Sequence, residues 1–122
     1  MNILEQLQAI IEPLDVPVET GIFTNPAPPQ YVVIVPLIET FEMDADDMPL
    51  AETQEARISI FSKNNYIALK NRIVRAVLAA GLTVTARQFI EYEPDTGYYH
   101  YNVDVAHYYD LETEDKYGNN RT

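Results

Sequence analysis

The residue types best suited to proton transfer or metal ligation near neutral pH are two histidines, His100 and His107. Side chains alternate along a strand, so on one strand His100 shares a face with Asp104 while His107 points the other way. The two cannot form a site from that strand alone. Ligation or general-base work would need partners from elsewhere; otherwise they are ordinary surface or half-buried histidines. Ser59 and Ser62 are the available serine nucleophiles, and both lie beside a predicted strand end without a nucleophile-elbow sequence. The chain has no cysteine, which removes thiolate chemistry, Cys-ligated zinc and disulfides. Gly21, Gly81, Gly97 and Gly118 are isolated, so no phosphate-cradling loop or dinucleotide fingerprint exists. The expectation is a protein with no catalytic, cofactor-binding or metal residues, and not an enzyme.

Acidic side chains are the remaining source of chemistry. Residues 39–54 show no convincing period and contain Glu39, Glu42, Asp44, Asp46, Asp47 and Glu52. Counted from Asp44, this run partly mimics a calcium loop through Asp46, Glu52 and Glu55. The match fails where Met48 replaces an oxygen ligand and Pro49 replaces the turn glycine. No spacing selects two carboxylates for acid and base roles on a sugar. A loop this long in a compact domain implies a use. Because it also carries Phe41, Met43, Met48 and Leu50, it is expected either to dock on another surface or to fold back on its own core. The run Pro26-Ala27-Pro28-Pro29 reads as a stiff strand-to-strand connection rather than a polyproline ligand.

Charge narrows the partners. Nineteen acids against eight bases leave a net charge of −11, which excludes a surface that grips nucleic acid phosphates or anionic lipid. The distribution is blocked. Residues 1–56 carry eleven acids and no base; residues 57–87 carry six bases (Arg57, Lys63, Lys70, Arg72, Arg75, Arg87) and no acid; residues 88–122 are acidic again. Such segregation serves pairing inside the fold or pairing between copies. Six of the nine tyrosines lie between Tyr92 and Tyr109. Stacking on single-stranded bases needs a basic groove, whereas here Glu91, Glu93, Asp95, Asp104 and Asp110 intervene, so a protein partner is the preferred use.

These residues are positioned by one small domain, expected over residues 1–111 and followed by a polar tail at 112–122. With 47% hydrophobic and 22% charged residues the chain is globular. No apolar run approaches the ~18 residues of a membrane span, and no basic leader opens the chain, so a soluble product is expected. Ile3, Leu4, Leu7, Ile10, Ile11 and Leu14 recur at helical spacing behind an Asn2/Glu5 capping box, and Pro13 stops the helix. A short strand follows within 16–24. Residues 31–38 (YVVIVPLI) read as a central strand ending near Pro36, and residues 55–62 as the next. Asn64 or Asn65 caps a second helix that Gly81 ends, with Lys70 inside its apolar stripe, either snorkelling past the core edge or meeting a carboxylate. Strands over 82–92 and 98–109 close a hairpin through Pro94-Asp95-Thr96-Gly97. The order α-β-β-β-α-β-β predicts an α+β domain with a mainly antiparallel sheet of four to five strands and two helices on one face.

This layout resembles the tail terminator, or tail completion, proteins of long-tailed bacteriophages. The resemblance rests on the N-terminal amphipathic helix, the approach Pro28-Pro29-Gln30-Tyr31-Val32-Val33-Ile34, the run Ala56-Arg57-Ile58-Ser59-Ile60-Phe61-Ser62-Lys63-Asn64-Asn65 leading into a helix, and a terminal hairpin ending Tyr108-Tyr109-Asp110-Leu111. It covers roughly residues 1–111 as a pattern of elements. It implies a ring, typically six-fold, at the head-proximal end of the tail in the virion, assembled in the host cytoplasm. Such a ring stops tube polymerisation, binds the tail tube protein and a head-completion or neck protein, and lets DNA pass without specific binding. The family brings no catalytic residues, cofactor or membrane contact. A ring of six would carry roughly 66 negative charges, suited to a passage along which DNA slides. The interface candidates are Arg57, Lys70, Arg72, Arg75, Tyr98 and Tyr99; the candidates for a lumen or docking loop are Glu42, Met43, Asp44, Asp46, Asp47 and Met48. A head-closure or neck ring, and a non-viral dimeric α+β module that binds a small ligand, are the other readings.

Overall fold

A computed structural model describes residues 2–23, 26–43 and 49–111. Helix α1 (Ile3–Ile11) begins where the sequence places it. Asn2 Oδ1 accepts from the Glu5 amide at 2.9 Å and Glu5 Oε1 accepts from the Asn2 amide at 3.1 Å, a reciprocal cap that satisfies two otherwise free donors. A third, the Ile3 amide, donates 2.8 Å to Oε1 of the buried Gln54, so the helix start is fastened to the sheet. Pro13 turns the chain into one 3-10 turn (Glu12–Leu14), and Asp15 leaves it in the left-handed region.

Five strands follow: β1 (Val18–Thr20), β2 (Gln30–Met43), β3 (Pro49–Ser62), β4 (Thr83–Glu93) and β5 (Tyr98–Asp110). They form one sheet in the order β1-β2-β3-β5-β4, antiparallel except that β1 runs parallel to β2. The α+β class, the element order and the hairpins match the sequence expectation. Helix α2 (Tyr66–Ala79) is capped by Asn65 Oδ1, which accepts from the Ala68 amide. Its C-terminus closes with Gly81 at φ 90, whose amide donates to Leu78 while the Leu82 amide donates to Val77. That pair of bonds needs a left-handed residue between them, and it drives Leu82 into the core.

Burial alternates with period two along β3 and β5, and this sets where everything else lies. Ala56, Ile58 and Ile60 of β3 and Val103 and Val105 of β5 join Val32 and Ile34 of β2 on one face. There they bury Ile3, Leu7 and Ile11 of α1 and Leu69, Ile73 and Val77 of α2. Both helices therefore cover the same side.

Two placements differ from expectation. The YVVIVPLI strand is β2, next to the β1 edge, and β3 is the central strand. Pro36 does not end β2. It sits within the strand beside a register shift between Pro36 and Ile38, past the point where β1 stops pairing, so its outward side needs no donor. The expected loop at 39–54 is mostly strand. Glu39 pairs with Gln54, Thr40 with Thr53, Phe41 with Glu52 and Glu42 with Ala51. Cross-strand bonding, aided by Thr53 Oγ1 donating 2.9 Å to Glu42, overrides the missing hydrophobic period. Asp44, Asp46, Asp47 and Met48, and the tail at 112–122, lie outside the described residues; of Met43 the backbone alone is described.

The far end of β5 is tied to α1 by the Tyr109 hydroxyl, which donates to Gln6 Oε1. Burial pushes the Tyr109 pKa up to about 12, so the folded state holds the neutral phenol. An unfolded chain releases that proton from pH ~10, so the Tyr109 contribution is present below pH ~10 and disappears as pH rises toward 12. Tyr109→Phe should cost about 1 kcal/mol at pH 7. Its urea midpoint should then approach that of the wild type between pH 10 and 12; a gap that stays constant across this range counts against the assignment.

Candidate functional site

The sheet face turned away from the helices has no covering layer among the described residues, and it carries the side chains of greatest chemical interest. At one end Phe23, Tyr31, Phe61 and His100 form a row of rings with centroid separations of 4.8, 4.7 and 4.2 Å. Tyr98 meets Tyr31 and Phe61 edge-on. Further along β3 and β5 the face becomes polar: Ser59 Oγ bonds Asn102 Oδ1 at 3.1 Å, and Arg57 forms a two-pronged pair with Asp104 at 2.8 and 3.1 Å. Each pairing follows from the register, since Phe61 opposes His100, Ser59 opposes Asn102 and Arg57 opposes Asp104.

This geometry gives several residues singled out from the sequence partners within the fold. Arg57 is engaged with a carboxylate 47 positions away in its own chain, so it has a partner inside the fold, while its side chain stays part-exposed. Hydrogen bonding to Asp104 raises the guanidinium pKa, against a smaller opposing effect of burial. Tyr98 is buried, with its hydroxyl donating 2.6 Å to the Pro28 carbonyl, and lies 3.3 Å from that of Ala27, so it pins the proline-rich connection. Tyr99 stacks on Tyr66 at 5.3 Å in a cluster with Phe89, Tyr92 and Tyr101. Lys70 emerges from the apolar stripe of α2 over the Tyr101 ring, 5.4 Å from its centroid, so an aromatic face takes the place of the carboxylate. Arg72 donates 2.9 Å to the Leu14 carbonyl, bracing the end of the first helical segment, and Arg75 is exposed. Ser59 and Ser62 are both buried and hydrogen-bonded, a setting in which neither is presented to a substrate.

Exposed apolar side chains gather along two strand edges on opposite sides of the sheet. β1 pairs only with Val32, Val33 and Ile34, so the outer side of β2 beyond it is open, and Leu37, Ile38 and Phe41 are exposed there beside Glu39 and Glu42. At the other side β4 is an edge strand of eleven residues, exposed over most of its length, with Arg87, Phe89, Ile90 and Tyr92. Sequence reasoning missed this pair of edges because strand order is set by long-range pairing. The acid of the β2 edge was nevertheless readable in the first acidic block, whereas β4 spans the end of the basic block and the start of the next acidic one, with Arg87 followed by Glu91 and Glu93.

A concavity of about 440 Å³ lies between the start of α1 and the bent part of β2, lined by Asn2, Ile3, Leu4, Pro36, Leu37, Ile38, Glu39, Gln54 and Glu55. Among the described residues no helix is long and apolar enough to cross a membrane. Neither protein-family models nor curated proteins gave a match to the chain.

The Arg57–Asp104 pair is part-exposed, with side-chain accessibilities of 39% and 17%, so its worth is modest. A double-mutant cycle with Arg57→Ala and Asp104→Ala should give a coupling of about 1 kcal/mol in urea unfolding, shrinking as salt is raised. Zero coupling in the isolated chain would count against the internal pairing and strengthen Arg57 as a candidate for a contact between copies.

Proposed function

We propose that this chain is a non-catalytic structural protein of a long-tailed bacteriophage: a tail terminator whose copies close into a ring, end tail-tube growth and present a surface to the head. The observation that carries this reading is the pair of open strand edges on opposite sides of one sheet. An edge strand offers a row of unpaired amides and carbonyls that favours pairing with another strand. Two unlike edges on one subunit suit a head-to-tail contact, which closes into a ring when the rotation between copies allows. The exposed apolar residues add complementary surface, Ile38 and Phe41 on one edge and Ile90 and Tyr92 on the other.

Charge favours the same pairing. The β2 edge carries Glu39 and Glu42, and residues 44–48 add Asp44, Asp46 and Asp47 in sequence. The β4 edge carries Arg87 together with the acids Glu91 and Glu93, and it lies next to α2, whose charged side chains Lys70, Arg72 and Arg75 are all basic. With Arg57 spent on Asp104 and Arg72 bracing Leu14, Arg75 and Arg87 become the preferred partners for the acids of the adjacent copy. The net charge of −11 leaves a surplus of acid once these bases are matched, which suits a passage that repels DNA.

A head-to-tail ring makes a specific prediction. Phe41→Asp should break one edge and Arg75→Glu with Arg87→Glu the other, so each variant alone should give no ring by native mass spectrometry, free or on purified tail tubes. Mixed together, they should form a capped one-to-one heterodimer, because each retains the edge the other needs. A wild-type chain that is a closed dimer and ignores tail tubes overturns the proposal in favour of a ligand-binding module. Binding to portal-bearing heads instead of tubes replaces the terminator with a neck ring.

A further inference from the structure

We infer that Glu91, Glu93 and His100 form a binding site for a divalent transition-metal cation, for which Zn²⁺ is the probe. One ligand atom from each of the three lies within 4.8 Å of the others. The cluster depends on an irregularity in β4. From Ala86, past a first register shift, to Phe89, which pairs with Tyr101, odd-numbered residues of β4 point toward the helices. The register then shifts between Phe89 and Glu91, so Glu91 pairs with His100 and Glu93 with Tyr98. Without that extra residue both carboxylates would face α2. With it they stand on the open face beside the imidazole, as a bulge re-aims side chains.

The imidazole is what separates this group from an ordinary patch of acid. His100 Nε2 is out of contact with solvent and has no hydrogen-bond partner. Such a nitrogen is unfavourable unless something completes it. The ring is held by stacking on Phe61 at 4.2 Å and 20° and by a hydrogen bond with Asn102. Glu93 is steadied by the Thr96 hydroxyl, which donates 2.9 Å to Oε1. Glu91 is exposed and free to adjust.

One nitrogen and two carboxylates form a borderline donor set that suits Zn²⁺ better than Ca²⁺ or Mg²⁺, which take oxygen ligands. Ligand atoms about 2.1 Å from a tetrahedral zinc are roughly 3.4 Å apart, so ligand atoms that lie within 4.8 Å of one another must close by at most about 1.4 Å. Rotation of the exposed Glu91 supplies that movement. Three protein ligands leave a fourth position for water or for a group from another molecule.

The test uses the full chain, freed of metal with EDTA and titrated with ZnCl₂ by calorimetry. Expected is one zinc per chain, weakened at least tenfold by Glu91→Gln and by His100→Gln and unchanged by His107→Gln, since His107 lies on the other face. The His100 imidazole nitrogen resonances should shift on zinc addition while those of His107 hold still. Absence of saturable binding, calcium binding as tight as zinc, or binding that survives Glu91→Gln or is lost with His107→Gln refutes the site. Should His100→Gln fail to fold, the exposed Glu91→Gln decides by itself. The result is independent of whether the chain forms rings.

Discussion

The constraint on which the molecule depends is the parity of the β3 ladder. Once Ala56, Ile58 and Ile60 are committed to the buried face, residues Arg57, Ser59 and Phe61 must stand on the open one, and antiparallel pairing transmits the choice to β2 and β5. A slip of one residue would put Arg57 and Asp104 beneath the helices and lift the aliphatic core into water. Gln54 carries the same parity to α1, because the carbonyl oxygen that accepts from Ile3 is buried on the helix side. Sheet register and helix position are thus one decision.

Because parity is so strictly held, the places where it breaks carry the most information. The shift at Pro36/Ile38 comes where β2 loses its outer neighbour, and beyond it every described β2 side chain is exposed. The shift at Phe89/Glu91 turns two carboxylates toward His100. It also keeps both Phe89 and Tyr92 on the helix side, where they meet Tyr66 and Tyr99. Both irregularities lie in strands that border open edges, where a displaced residue disrupts a ladder on one side only. Central β3 shows no such break against β5.

Local signals were legible in the sequence, and distant pairings were not. The Asn2/Glu5 cap, the Asn65 cap, the Gly81 stop and the turn at 94–97 each depend on neighbours within a few residues, and their residue types reveal them. The apolar periods of α1 and α2 likewise gave the core. Arg57 and Asp104 meet only because β3 lies beside β5, and no local pattern encodes that strand order. Residues 39–43 and 49–54 read as a loop because neither face of that hairpin is buried enough to impose alternation. Ladder hydrogen bonding, to β2 on one side of β3 and to the end of β5 on the other, suffices to hold them, and it leaves no hydrophobic signature. The tyrosines misled for a related reason: Tyr98 and Tyr99 are consecutive, yet one pins the proline-rich connection on the open face and the other stacks beneath α2.

The two ends of the sheet are thereby specialised differently. At the end where β2 and β3 run out past α1, β3 pairs with the last residues of β5, the side chains of β2 are exposed, and acid accumulates with no base nearby in sequence. At the other end the aromatic row packs Tyr31, Phe61 and Tyr98 around His100 and draws in the proline-rich segment, so polar groups there are enclosed and must find specific partners. A solvated, charged end tolerates variation and suits recognition by another surface, whereas an enclosed end rewards fixed geometry. The helix α2, whose charged side chains are all basic, packs beside the edge strand β4, which carries Arg87 with Glu91 and Glu93, so base is concentrated on α2 while the core stays apolar. The charge segregation along the chain follows the elements in part: residues 57–87 hold the end of β3, all of α2 and the start of β4, α1 and β2 carry acids and no base, and β4 turns acidic again at Glu91 and Glu93.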